Sequence, residues 1–136
     1  MDDAAKRAYI AARLSKAHED LVAARANLQQ GFLRVATNRA YYTVFHAASA
    51  VLMWHDIERA RHSGVESAFG AFLVKPGLIE PEYGRFYNEA RNIREDQDYD
   101  VFANQLTVSD VEQIVDHAER FILRMEQYLR HVGATT

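Results

Sequence analysis

Residues 38–52 read NRAYYTVFHAASAVL, an alanine-rich run carrying an arginine, two adjacent tyrosines and a histidine. On a helix at roughly 100° per residue, Tyr41, Phe45, Ala48 and Leu52 share one stripe, the spacing of a packed face. Arg39, Tyr42, His46 and Ser49 form a second stripe, roughly 110° away. On the far side Ala40, Thr43, Ala47 and Ala50 would let another helix approach closely. Almost no face is left for water. The run reads as a central helix, covered on several sides, with one polar row.

Working outward, Ile10, Leu14, Ala17, Leu21, Ala24 and Leu28 recur at helical spacing, so a first amphipathic helix is expected from about Asp3 to Gln30, ending at Gly31. A second helix is expected from about Leu33 to Trp54. In the polar connection that follows, Ser63 with Glu66 makes a capping-box pattern for a short third helix, Gly64 to Val74, stopped by Lys75, Pro76 and Gly77. Pro81 suits the first turn of a fourth helix. The run EDQDYDVFANQ, residues 95–105, shows no helical period and reads as a structured loop. Ser109 with Glu112 makes another capping box, and Val111, Ile114, Val115, Ala118, Phe121, Ile122, Met125 and Leu129 mark the last helix. Beyond Gly133 a frayed tail is expected. The fold class is therefore all-α, an up-and-down antiparallel bundle of four long helices plus one short one. The 136 residues suit a single domain, 1–136. Because the second helix keeps so little polar surface, a second protomer or the loop after the fourth helix is expected to cover part of it.

Composition narrows the function. There is no cysteine, so disulfides, thiolate metal sites and thiol nucleophiles are excluded. The start lacks a signal-peptide core, and no apolar run approaches the about 18 residues of a membrane span, which makes a cytoplasmic protein without membrane contact the expectation. A net charge of −3 argues against a broadly basic surface, and no DNA partner is expected. The histidines form no paired metal pattern, and neither a metal nor a cofactor is expected. No glycine-rich phosphate loop or nucleophile elbow is visible.

The ordered combination of NRAYYTVFHAASAVL, ARHSGVESAFGAFLVKPG (60–77) and RNIREDQDYD (91–100) before a last amphipathic helix resembles the HEPN domain. It is similar to the short stand-alone HEPN proteins of bacteria and archaea, often encoded beside a minimal nucleotidyltransferase. The resemblance implies a four- to five-helix bundle that commonly dimerises. It also implies a possible metal-independent ribonuclease site, in which an arginine is followed four to six residues later by histidine. Such a histidine would move the 2′-hydroxyl proton while arginine steadies charge on the phosphate. This chain departs from that pattern. Counting from Arg94 the histidine positions hold Tyr99, Asp100 and Val101, and from Arg91 they hold Asp96, Gln97 and Asp98.

The resemblance therefore implies a binding and interaction module, homodimeric and paired with a nucleotidyltransferase, in a toxin-antitoxin-like system linked to a nucleotide or RNA. A divergent ribonuclease, with Arg94 helped by His46 or His62, and a ligand-free scaffold are the alternatives. Candidate ligand-binding residues are Arg39, Tyr42, His46, Arg91, Arg94, Asp98 and Tyr99, and Tyr99 could receive a nucleotidyl group from the partner. Each has a plainer structural role. The Arg39, Tyr42, His46 and Ser49 row could be a satisfied hydrogen-bond network, with an acid from Asp96 to Asp100 pairing Arg39. Arg94 and Asp98 could tie the loop to the helix end, with Tyr99 plugging it, and His62 could merely precede a helix cap. The Arg39, Tyr42 and His46 edge is expected to turn inward toward Arg94.

Overall fold

A computed structural model describes residues 1–103 and 105–136. Among them five α-helices follow one another: α1 Asp3–Gln29, α2 Leu33–Trp54, α3 His62–Phe69, α4 Pro81–Tyr99 and α5 Val108–His131. A π-helical turn, Gly70–Val74, extends α3. The described residues contain no strand. The expected all-α bundle is the observed one.

Side-chain bonds fix the directions. Arg7 near the start of α1 donates to the Gly133 and Ala134 carbonyls after α5, and Arg25 near its end pairs with Asp116 and Glu119 early in α5. Glu80 before α4 meets Arg124 late in α5, while Asp98 at the end of α4 meets Asn38 and Arg34 at the start of α2. The long helices therefore run alternately up and down, and the α1–α2 and α4–α5 connections share one end.

Helix α2 is the axis. It packs on α1, α3, α4 and α5. Ala36, Ala40, Ala47, Ala48, Ala50 and Val51 are fully buried. These small side chains admit close neighbours, and α1 answers with fully buried Ala17 and Ala24. Cover for α2 thus comes from its own chain, and its enclosure gives no argument for a second protomer. Gly31 ends α1 with φ +80°, a conformation in which a β-carbon is strained.

Four local expectations are corrected. First, the acidic run does not leave the helix at Arg94: α4 continues to Tyr99. Asp98 is held there by Asn38 Nδ2 at 3.0 Å, and the turn looked aperiodic because it packs through hydrogen bonds instead of apolar side chains. Second, α3 begins at His62 without a side-chain cap, so Ser63 and Glu66 form no capping box. Third, α5 is capped by Thr107 with Asp110, two residues earlier than Ser109 with Glu112. Fourth, the tail is docked: Ala134 is 3% exposed, and its amide donates to the Leu129 carbonyl at 2.8 Å.

The cap position can be tested directly. Thr107→Ala should cost about 1 kcal/mol of stability, whereas Ser109→Ala should stay within about 0.5 kcal/mol in urea unfolding.

Candidate functional site

Among the described residues Arg94 is the one buried arginine, at 8% exposure. It sits on the inner face of α4, one turn beyond Ala90, so the same periodicity that buries Phe86, Tyr87 and Ala90 carries it inward. Its guanidinium carbon lies 4.4 Å from the Tyr41 ring centre and 5.9 Å from that of Tyr42. The nearest carboxylate, Asp98, is 3.9 Å away, beyond hydrogen-bond reach, and is shared with Arg34 and Asn38. The Arg94 Nε is buried without a hydrogen-bond partner. Tyrosine faces stabilise the charge, but they accept no N–H in the geometry a carboxylate or phosphate offers.

His62 comes to the same place from α3. Its ring centre is 4.5 Å from Phe45, 5.5 Å from Tyr42 and 6.1 Å from Tyr41. Burial holds its pKa below the usual histidine value, with Arg94 and Arg13 adding repulsion. The imidazole packs into this aromatic cluster as the first residue of α3, which is why the helix starts earlier than its polar sequence suggests.

The polar row of α2 divides in two. Arg39 donates to Asp20 Oδ1 at 2.9 Å and to the Asn38 side-chain oxygen, with its guanidinium 4.9 Å from the Tyr42 ring. Its acid thus comes from α1, not from residues 96–100. Asp20 Oδ2 lies 3.5 Å from His46 Nε2, and burial raises the Asp20 pKa against the pull of Arg39. Ser49 is separate, since its hydroxyl donates to the Phe45 carbonyl at 2.8 Å.

Two residues of this cluster, Arg13 and Asp20, escape a reading centred on α2. Arg13 Nη1 lies 2.8 Å from His46 Nδ1, and its Nε donates to the Tyr9 hydroxyl at 2.9 Å. Arginine offers no acceptor, so His46 Nδ1 must be the unprotonated nitrogen and the neutral ring carries its proton on Nε2, toward Asp20. The same guanidinium is 5.5 Å from the Phe45 ring. A signal existed: Arg13 stands between Ile10 and Ala17 on the helix, at the margin of the buried stripe.

The remaining candidates do not converge. Arg91 is spent on Glu66 at 2.7 Å and Glu95 at 3.2 Å, tying α4 to α3. Tyr99 is 76% exposed and plugs no loop. The structure therefore gathers Arg94, Tyr42, His62, His46 and Arg39 around the Tyr41, Tyr42 and Phe45 rings, adds Arg13, and leaves Arg91 and Tyr99 outside. Among the described residues no three His, Asp or Glu side chains are grouped to hold a metal, and no helix is long and apolar enough to cross a membrane.

The HEPN domain family model matches residues 10–128. The protein named "Putative toxin MJ0605" of Methanocaldococcus jannaschii is 34% identical over 126 residues, covering 93% of this chain and 92% of its own. A UPF0332 protein of Pyrococcus horikoshii is 40% identical over 74 residues, covering 54% and 52%. A UPF0332 protein of Thermotoga maritima is 32% identical over 114 residues, covering 84% and 86%.

The electrostatics predict a titration. Burial, then the Arg13, Lys16 and Arg39 charges, lower the His46 pKa to about 4. A folded-state pKa below the unfolded value means the unfolded chain binds the proton first. Stability from this group is therefore full above the ordinary value of 6.5 and is lost as pH falls toward about 4. In NMR titrations the His46 ring should stay neutral at pH 5, and Arg13→Ala should move its midpoint upward.

Proposed function

The chain belongs to the HEPN domain family, and on that premise we propose that it is a HEPN-type binding and interaction module in a toxin-antitoxin-like system. The relative from Methanocaldococcus jannaschii carries the name "Putative toxin", which supports placing this chain in such a system. The ligand is a nucleotide or RNA. The observation that carries this reading is the Arg94 guanidinium, buried on Tyr41 with its Nε unpartnered. A buried cation of this kind is completed by an anion with hydrogen-bond acceptors, and a phosphate group supplies both.

The module works as a homodimer with a nucleotidyltransferase partner, two features that rest on the family resemblance. Tyr99, exposed on the last turn of α4, is the hydroxyl available to that partner. Its oxygen would attack the α-phosphorus of a nucleoside triphosphate, with pyrophosphate leaving and the phenolic proton passing to a base of the partner enzyme. Arg91 takes no part, since Glu66 and Glu95 occupy it.

One observation favours a second reading as a metal-independent ribonuclease. His62, from α3, packs among the tyrosines that carry Arg94 and is electrostatically coupled to it. It would then stand in for the histidine absent from positions 99–101. A lone neutral histidine serves as base or as acid but not both at once, and the geometry offers no second group of matched pKa beside it. His46, held near pKa 4, is too weak a base at neutral pH.

Purified protein incubated with total RNA and EDTA should show no cleavage that Arg94→Ala abolishes. RNA or AMP should nevertheless raise the melting temperature of the wild type and not that of Arg94→Ala. Cleavage lost on both Arg94→Ala and His62→Ala would establish the ribonuclease instead, and no ligand effect at all would leave a scaffold.

A further inference from the structure

We propose that Arg13, His62 and Arg94, from three different helices, form a binding site for a terminal phosphate monoester, as in a 5′-nucleotide or a 5′-phosphorylated RNA end. This rests on the reading of Arg94 as an anion-binding residue and specifies the class of phosphate.

The three groups lie against adjoining aromatic rings of α2. Phe45 is its centre: the His62 ring is 4.5 Å away and the Arg13 guanidinium 5.5 Å. Tyr41, stacked beside Phe45 at 6.4 Å, carries Arg94 at 4.4 Å. Charge accounting then selects the ligand. Arg13 bonds to the Tyr9 hydroxyl and to His46, and both are neutral, so its charge is uncompensated. Arg94 has only Asp98 at 3.9 Å, and that carboxylate already accepts from Asn38 and pairs with Arg34. Asp20 is taken up by Arg39. Two fixed positive charges with little nearby compensation suit a dianion better than the single charge of an internal diester. A terminal monoester carries up to two negative charges near neutrality, its second pKa being about 6.

His62 makes the site pH-dependent. The groups that face it are Arg13 from α1, Tyr41, Tyr42 and His46 from α2, and Arg94 from α4. None of them brings a carboxylate. Burial and the two arginines keep His62 neutral in the free protein at neutral pH. A bound phosphate reverses the sign of the local field, so His62 takes up a proton on binding and donates a third hydrogen bond. The α3 amino terminus has no side-chain cap, which leaves its first amides free to contribute.

The test is calorimetry with four ligands: AMP, adenosine, the dinucleotide ApA, which has only an internal diester, and its 5′-phosphorylated form pApA. AMP and pApA should bind at least tenfold more tightly than adenosine and ApA. If only pApA binds, the site is for RNA ends; if AMP binds equally well, it is for free nucleotides. The affinity of AMP should be greatest near pH 6 and fall as pH rises past 7, with proton uptake seen as a buffer-dependent heat. His62→Gln should remove that uptake, and half-buried Arg13→Ala should weaken AMP at least tenfold without unfolding the chain. Arg94→Gln should do likewise, with Arg13→Ala deciding if the Arg94 variant fails to fold. Equal binding of ApA and pApA, or unchanged affinity in Arg13→Ala, would overturn the proposal. AMP binding that survives with no toxic effect and no partner would instead leave this site standing and remove the two-component reading.

Discussion

Arg94 lies over the face of Tyr41 in the interior of the bundle, and much of the local arrangement follows from accommodating that charge. A buried cation costs several kcal/mol unless it is compensated. A cation–π contact returns only about 2 kcal/mol even when desolvated, so one tyrosine is not enough. The adjacent pair Tyr41 and Tyr42 answers this need. Successive residues on a helix diverge by roughly 100°, so the first ring enters the core while the second reaches around the edge to the same guanidinium. Asp98 supplies long-range neutralisation at 3.9 Å without taking up the N–H donors.

The alanines of α2 are the other half of the same arrangement. With Ala36, Ala40, Ala47 and Ala50 fully buried, α1 lies close enough for Arg13 and Asp20 to reach over the edge of α2 and engage His46 and Arg39. Larger residues there would separate the helices and leave the polar row facing water or unpaired. His46 occupies the middle of this chain of contacts as a neutral group, accepting from Arg13 on one nitrogen and presenting a proton to Asp20 on the other. Charge is thereby balanced at the Asp20–Arg39 end and left uncompensated at the Arg13 end. The satisfied network expected for the row describes Arg39, His46 and Ser49. Arg13, which the row did not include, joins it from α1.

The helix count, the bounds of α2 and the stripe of α5 were legible because apolar periodicity encodes burial directly. The family pattern was legible through the order of three segments. What escaped was set by polar groups acting over long sequence distances. The extension of α4 through Asp98 depends on Asn38, sixty residues earlier. The early start of α3 depends on the His62 ring finding Phe45, and the docked tail depends on Arg7 at the other end of the chain. Arg13 and Asp20 lie on a helix whose own pattern marked only its apolar stripe, and nothing local in the sequence says which partner a flanking arginine meets. The α5 cap lies two residues before the Ser109–Glu112 pattern because its third helical residue is Asp110, outside the Glu/Gln rule, and Ser63 with Glu66 fits the rule without forming a cap.

The distribution of acids gives a direction to any anionic ligand. Asp96, Asp100, Asp110 and Glu112 are exposed at the end shared by the α4–α5 and α1–α2 connections, alongside the exposed side chains of Tyr99, Val101 and Phe102. Among these acids Asp110 is committed to the α5 cap, where it favours the helix amino terminus, but its charge still faces outward. At physiological salt such charges act over about 8 Å, so they repel phosphate near that end without cancelling Arg94 within the bundle. Arg13 and His62 lie on other helices, α1 and α3, against Phe45. Two parts of α4 differ in the same way: its interior turn buries Arg94, and its exposed last turn carries Tyr99. One helix thus carries both a buried cation and an exposed phenol, because Arg94 points inward and Tyr99, five residues on, points out.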